Sequence, residues 1–172
     1  MNFKVYLMTK IIMLLFCCLT LMSCGPSKDK MVELAKKNLT LNIDNPQQLK
    51  IIATSEPDSA FGTGYFSKAE VQGILRTLQT VTDTIMKRTD NMRRFNPEDS
   101  YVMSLAERQM RGMAEIRSLV MKAGKKGPFS GWKVKIDYAS VDGNGNPYRA
   151  ERWFFIDPEG KQVYKTFELP LP

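Results

Sequence analysis

Asp142-Gly143-Asn144-Gly145-Asn146 places side-chain oxygens at alternate positions, as the start of a calcium loop does. An EF-hand would continue with a glycine and end on a bidentate glutamate at its twelfth position. Pro147 and Trp153 stand there instead. Glycine and asparagine are also what a tight β-turn with positive φ requires, so the stretch is expected to be a turn. A second group is cationic: Lys87, Arg88, Arg93 and Arg94, with Arg108, Arg111 and Arg117 further on. Together they would suit a phosphate or an acidic partner. Separately they are solvated cations that favour a helix end. A third group is aromatic. Trp153 and Phe155 share one face of a strand, Phe154 and Ile156 the other. One face is expected to meet helices. The other is either an interaction surface or covered by the 28–38 helix or the Tyr65 loop. Glu151, Asp157 and Glu159 give no spacing that would hold two carboxylates at catalytic separation.

Histidine is absent from the chain. That removes Ser-His-Asp and Cys-His catalysis, histidine-ligated zinc and a histidine pH switch. No catalytic residue, metal or cofactor is expected, and the chain is read as non-enzymatic. A hydrolase working without histidine is the third-ranked reading.

The remaining chemistry-bearing residue is Cys24. It closes an apolar run from Ile11 to Met22, twelve residues long, with Lys4 and Lys10 ahead of it. Crossing a bilayer takes about 20 apolar residues, so the run is too short for a span and fits the core of a secretory signal. Leu21-Met22-Ser23-Cys24 resembles a bacterial lipobox, with leucine three before the cysteine and a small residue just before it. Met22 departs from the usual small or β-branched residue. The resemblance implies a diacylglyceryl group on the Cys24 thiol, cleavage before it and acylation of the new amine. One acyl chain holds a membrane marginally; two or three hold it stably. Residues 1–23 are thus expected to be a lipoprotein signal peptide and 24–30 a lipidated tether, with residues 31–172 a single domain. Gly25 is not the aspartate that retains enteric lipoproteins at the inner membrane, which favours the outer membrane. Its periplasmic and surface faces stay undecided.

Without residues 1–23 the chain keeps 149 residues, enough for one domain with a real core. It then carries 23 basic and 18 acidic residues, a mild +5 that is well short of a nucleic-acid footprint. Cys17 and Cys18 leave with the signal and Cys24 carries lipid, so no disulfide is available and packing must stabilise the domain.

The elements follow from periodicity. Residues 28–38 read as a helix that Ser27 can cap, with Met31, Leu34 and Ala35 on one face. Leu49 to Thr54 reads as a strand ended by Glu56-Pro57-Asp58-Ser59, joining the sheet at an edge or beside the last strand. Ser67-Lys68-Ala69-Glu70 is a capping box. Val71, Ile74, Leu75, Leu78, Val81, Ile85 and Met92 follow as an apolar stripe of about seven turns. Phe95-Asn96-Pro97 breaks it, and Asn96 and Pro97 are expected to start a second helix. That helix has a stripe of Val102, Ala106, Met110, Met113, Ile116 and Val120, and Lys122, Lys125 and Lys126 at its end. Trp132 to Tyr138, Tyr148 to Ile156 and Lys161 to Phe167 read as strands, and Leu169-Pro170-Leu171-Pro172 as an extended tail. The expected fold class is α+β, an antiparallel sheet of three or four strands packed against a long antiparallel helical hairpin.

This order of motifs resembles a loose group of small, uncharacterised lipoproteins of Bacteroidota-type bacteria. The matching pieces are Cys24, Asn45-Pro46, Asp58-Ser59-Ala60-Phe61, Gly131-Trp132-Lys133-Val134, and Trp153-Phe154-Phe155-Ile156-Asp157 running into Gly160-Lys161 and Val163-Tyr164. The resemblance implies an envelope lipoprotein with an antiparallel sheet and carries no activity to any residue. The leading expectation is a non-catalytic envelope lipoprotein, held to the membrane at Cys24, that binds a protein or an envelope polymer. Its surface would be Trp153 and Phe155, or Lys87, Arg88, Arg93 and Arg94. The alternative is a periplasmic inhibitor of the immunity-protein kind. No nucleic-acid partner is expected.

Overall fold

The computed structural model of the chain describes residues 25–62, 65–122 and 127–172. Residues 1–24, which include Cys24, and Lys125 and Lys126 lie outside the described residues, as do the side chains of Val120 and Lys122. The described elements are α1 (Lys28–Leu41), β1 (Lys50–Thr54), β2 (Asp58–Phe61), α2 (Lys68–Arg88), α3 (Ser100–Lys122), β3 (Phe129–Val141), β4 (Pro147–Ile156) and β5 (Val163–Leu171). Among the described residues the fold is α+β, an open antiparallel sheet with three α-helices. No described helix is long and apolar enough to cross a membrane.

The sheet runs β1-β3-β4-β5, with β2 also on β3. β1 takes the edge beside β3, Lys50 opposite Ala139 and Thr54 opposite Ile136. Asp58-Ser59 was expected to end that strand; instead Asp58–Phe61 pairs with Lys133–Phe129 as β2. β1 and β2 therefore follow one edge of β3 in succession. Between them the Ser55 N–H donates to Lys135 O at 2.8 Å, and the Lys135 N–H donates to Ser55 Oγ at 2.9 Å. A side-chain oxygen thus stands in for a strand carbonyl, and Pro57, which has no N–H, is tolerated on an edge.

The tail reading is also corrected. Leu169-Pro170-Leu171 continues the ladder, with Pro170 opposite Ala150 and Leu171 opposite Arg149. β5 is an edge strand, where a proline is accommodated if its missing N–H would have pointed away from the ladder.

α2 starts on the expected capping box: Ser67 Oγ accepts from Glu70 N–H, and a Glu70 carboxylate oxygen accepts from Ser67 N–H. It ends earlier than its apolar stripe suggested. Asp90, Asn91 and Met92 all have positive φ, so the chain turns left-handed there. Met92 is consequently half exposed and off the stripe, as is Leu75. α3 begins at Ser100, and its cap is Asp99, whose Oδ1 accepts from Val102 N–H. Asn96, expected as the cap, closes a local turn by accepting from Glu98 N–H. Met110 and Met113 are exposed, and Val102, Leu105, Gly112 and Ile116 are the buried positions among the described side chains of α3. α1 runs past the expected 38 to Leu41, and Ser27 makes no side-chain cap.

Both faces of the sheet are covered. On one, Met31, Ala35 and Leu39 of α1 pack on Val134, Ile136, Tyr138, Phe154 and Ile156. On the other, Ile74 and Leu78 of α2, Ile116 of α3 and Phe66 pack on Phe155, Phe167 and Leu169. Phe155 is fully buried, and Trp153 is half-buried with its ring stacked against Phe167. The physical reason is that a sheet carrying bulk on both faces needs a layer on each, and α1 supplies the second.

Candidate functional site

The β3–β4 hairpin turns on Asp142. Its Oδ1 accepts from the N–H groups of Asn144 and Asn146, and its carbonyl accepts from Gly145 N–H, with φ of Gly145 at 85°. Slight burial pushes the Asp142 carboxyl up, but the Asn146 and Asn144 amides outweigh it and leave it below its ordinary value. The expected turn is present and uses the carboxylate to hold itself. Among the described residues no group of three or more His, Cys, Asp or Glu side chains is placed to hold a metal ion.

That hairpin carries Tyr138 and Arg152 on the same sheet face, and β5 brings Glu168 beside Arg152 as its register partner. Glu168 is the centre of a buried ion cluster. Its Oε2 accepts from the Tyr138 hydroxyl at 2.5 Å and from Arg152 Nη2 at 2.6 Å; its Oε1 accepts from Arg108 Nη1 at 2.8 Å. Arg108 arrives from α3, which seats directly on β5 because Gly112 has no side chain. A Cβ there would stand 2.7 Å from the Glu168 carbonyl oxygen. The Arg108 guanidinium also lies over the Tyr148 ring, 3.4 Å from its centroid.

Electrostatics fix the protonation of this cluster. Burial alone would push the Glu168 carboxyl up, but the Arg152 charge, the Tyr138 hydroxyl and Arg108 hold it below its ordinary value. Burial, reinforced by the Glu168 charge, pushes the Tyr138 phenol above its ordinary 10.0. Near neutral pH the carboxylate stays charged and the phenol stays protonated. The cluster is thus suited to holding three strands and a helix in register and does not exchange protons there.

Three hollows surround it. A polar one of about 220 Å³ lies between the end of α1, α3 and β5; Arg108, Arg111 and Arg152 face Asp44, Glu115 and Glu168, so its charges balance. A second, of about 380 Å³, follows Val163 to Glu168 of β5, with Asn38 of α1, Asn42 just past its end and Glu115 of α3 as walls. A third, of about 290 Å³, lies beyond the Arg108–Tyr148 stack and is lined mostly by apolar groups.

Several members of the expected basic patch are ion-paired. Arg88 Nε donates to Asp99 at 3.0 Å and lies over the Tyr101 ring. Arg94 lies 3.8 Å from Asp90, and Arg111 3.9 Å from Glu107. Arg108 belongs to the buried cluster, with 11% of its side chain exposed. Lys87, Arg88, Arg93 and Arg94 are exposed cations at or just past the α2 C-terminus, and Arg88 and Arg94 are paired because acidic residues fall within reach of the turn. Tyr138, Arg152 and Glu168 were missed by sequence reasoning. A signal existed: Arg152 falls between Ala150 and Phe154 on the apolar parity of its strand, where a charge needs a buried partner.

The chain matches no protein-family model, no curated protein and no solved structure in the comparisons made.

Proposed function

We propose that the protein is a lipid-anchored, non-catalytic binding module of the cell envelope, which receives a partner protein as an extended strand along β5. The observation that carries this is the 380 Å³ groove at the outer edge of β5. No described strand pairs that edge, so alternate residues of 163–167 direct N–H and C=O groups outward. An added strand satisfies such groups. The groove has the end of α1 on one side and α3 on the other, and its volume of about 380 Å³ is small, which favours a single extended segment over a second sheet. In this reading α2 and α3 act as the long helical hairpin. Its support is Gln109 Nε2, which donates to Leu78 O at 3.0 Å and Thr82 Oγ1 at 2.8 Å. Leu21-Met22-Ser23-Cys24 supports the anchor and Gly25 the outer membrane.

The test is recovery of a stoichiometric protein from detergent-solubilised membranes, followed by hydrogen exchange on the complex. The expected result is slowed exchange of the 163–167 amides and loss of the partner in Asn38→Trp, which fills the groove. A stable partner that leaves those amides unprotected would sink the strand-addition reading. The anchor is tested separately: palmitate label is expected in the parent chain and absent in Cys24→Ala.

A further inference from the structure

The third hollow differs from the groove just described in both chemistry and place. It lies between the first half of α3, the tip of the β3–β4 hairpin and the end of β5. Leu105, Ala139 and Leu171 give it an apolar lining, and Arg108 and Arg149 are its charged side chains; no acidic side chain lines it. The two arginines are not equivalent. Arg108 is committed to Glu168 and to the face of Tyr148, so it closes the inner side as a fixed plane. Arg149 is exposed and makes no ion pair among the described residues.

An apolar hollow with a few placed polar groups is the usual form of a small-molecule site. Charge selects among apolar ligands here. A cation would be repelled by Arg149 and find no acidic side chain in the lining, and a neutral molecule would leave Arg149 unused. An anion with a hydrocarbon body satisfies both parts. The volume of about 290 Å³ equals that of about ten water molecules at roughly 30 Å³ each, the scale of a small organic ligand.

We propose that this hollow is a binding site for a small monocarboxylate with an apolar body, its hydrocarbon on Leu105, Ala139 and Leu171 and its carboxylate on Arg149. The site needs no partner protein and stands whether or not β5 receives a strand.

The experiment uses the full chain in phospholipid nanodiscs with labelled methyl groups. Octanoate is titrated against 1-octanol and octylammonium, which share its chain and differ in charge. Partition into lipid is measured for each probe on empty discs, so that free concentrations are compared. Octanoate is expected to shift the methyls of Leu105, Ala139 and Leu171 saturably. Octanol should bind roughly two- to fivefold more weakly, the scale of one exposed ion pair, and octylammonium more weakly still. Arg149→Ala should bring octanoate to the level of octanol, and Arg149→Glu should place octylammonium ahead of octanoate. Arg149 is exposed, so these variants are expected to keep the parent spectrum elsewhere. Equal affinity for the three probes, or shifts confined to other methyls, overturns the proposal.

Discussion

Two buried ion clusters sit on opposite faces of one sheet, and they are built to opposite stoichiometries. On the α1 face, two arginines share one carboxylate: Arg108 and Arg152 on Glu168. On the other face one lysine has two: Lys133 Nζ lies 2.7 Å from Glu70 and 3.2 Å from Asp58, and it also donates to the Tyr65 carbonyl. The first cluster has all members 17% exposed or less. In the second only the lysine is deeply buried, at 5%, while Asp58 is 70% exposed. The contrast shows that the cost of losing a buried charge's partner depends on whether a second partner, or water, can replace it.

The largest effect is expected at the shared carboxylate. Glu168→Gln leaves two guanidiniums with no countercharge and should cost about 3 kcal/mol, read as a lowered urea midpoint. The pH dependence sharpens the assignment. Burial alone would raise the folded pKa of Glu168, but Arg152, Tyr138 and Arg108 bring it below 4.5, so the unfolded chain binds this proton more readily. Stability from this group is full above that value and is lost as pH falls through the folded pKa. The parent midpoint should therefore drop between pH 5 and pH 3 more steeply than that of Glu168→Gln; parallel slopes would contradict the assignment.

Next comes the seat that delivers Arg108. Gly112→Val puts a branched side chain against the Glu168 carbonyl and should cost about 2 kcal/mol by overpacking. The Tyr148 ring resonances should shift as Arg108 is displaced, while those of Phe66, near Lys133, stay put. Ser67→Ala acts on the other cluster. It removes the helix cap that also orients Glu70, with an expected cost of about 1 kcal/mol. The smallest effect is expected for Lys133→Met. It removes the lysine charge at similar length, and its carboxylates have access to water, so the change should stay within about 1 kcal/mol. A loss as large as that of Glu168→Gln would erase the distinction between the clusters.

Local features of this architecture were legible in the chain itself. The Ser67–Glu70 cap, the Asp142 turn and the period-two runs of β3 and β4 each depend on residues a few positions apart, and each is present in the structure. The ends of α2 and α3 were less legible. The apolar spacing of α2 continues smoothly to Met92, whereas the helix stops where Asp90 and Asn91 adopt left-handed backbone. β2 was hidden because Pro57-Asp58-Ser59 has the composition of a turn, and only pairing with Trp132 and Lys133 makes it a strand.

The sequence by itself determined which residues alternate, where chains turn and which chemistries are excluded by the lack of histidine, since these depend on residue type and short-range geometry. The tertiary structure decided what covers each sheet face and which charges meet. Glu168 finds Arg108 sixty positions away in sequence, and Lys133 finds Glu70 at a separation of 63. No local pattern specifies such a partner. It is selected when burial makes an unpaired charge too costly to keep, and that condition exists only once the layers have closed.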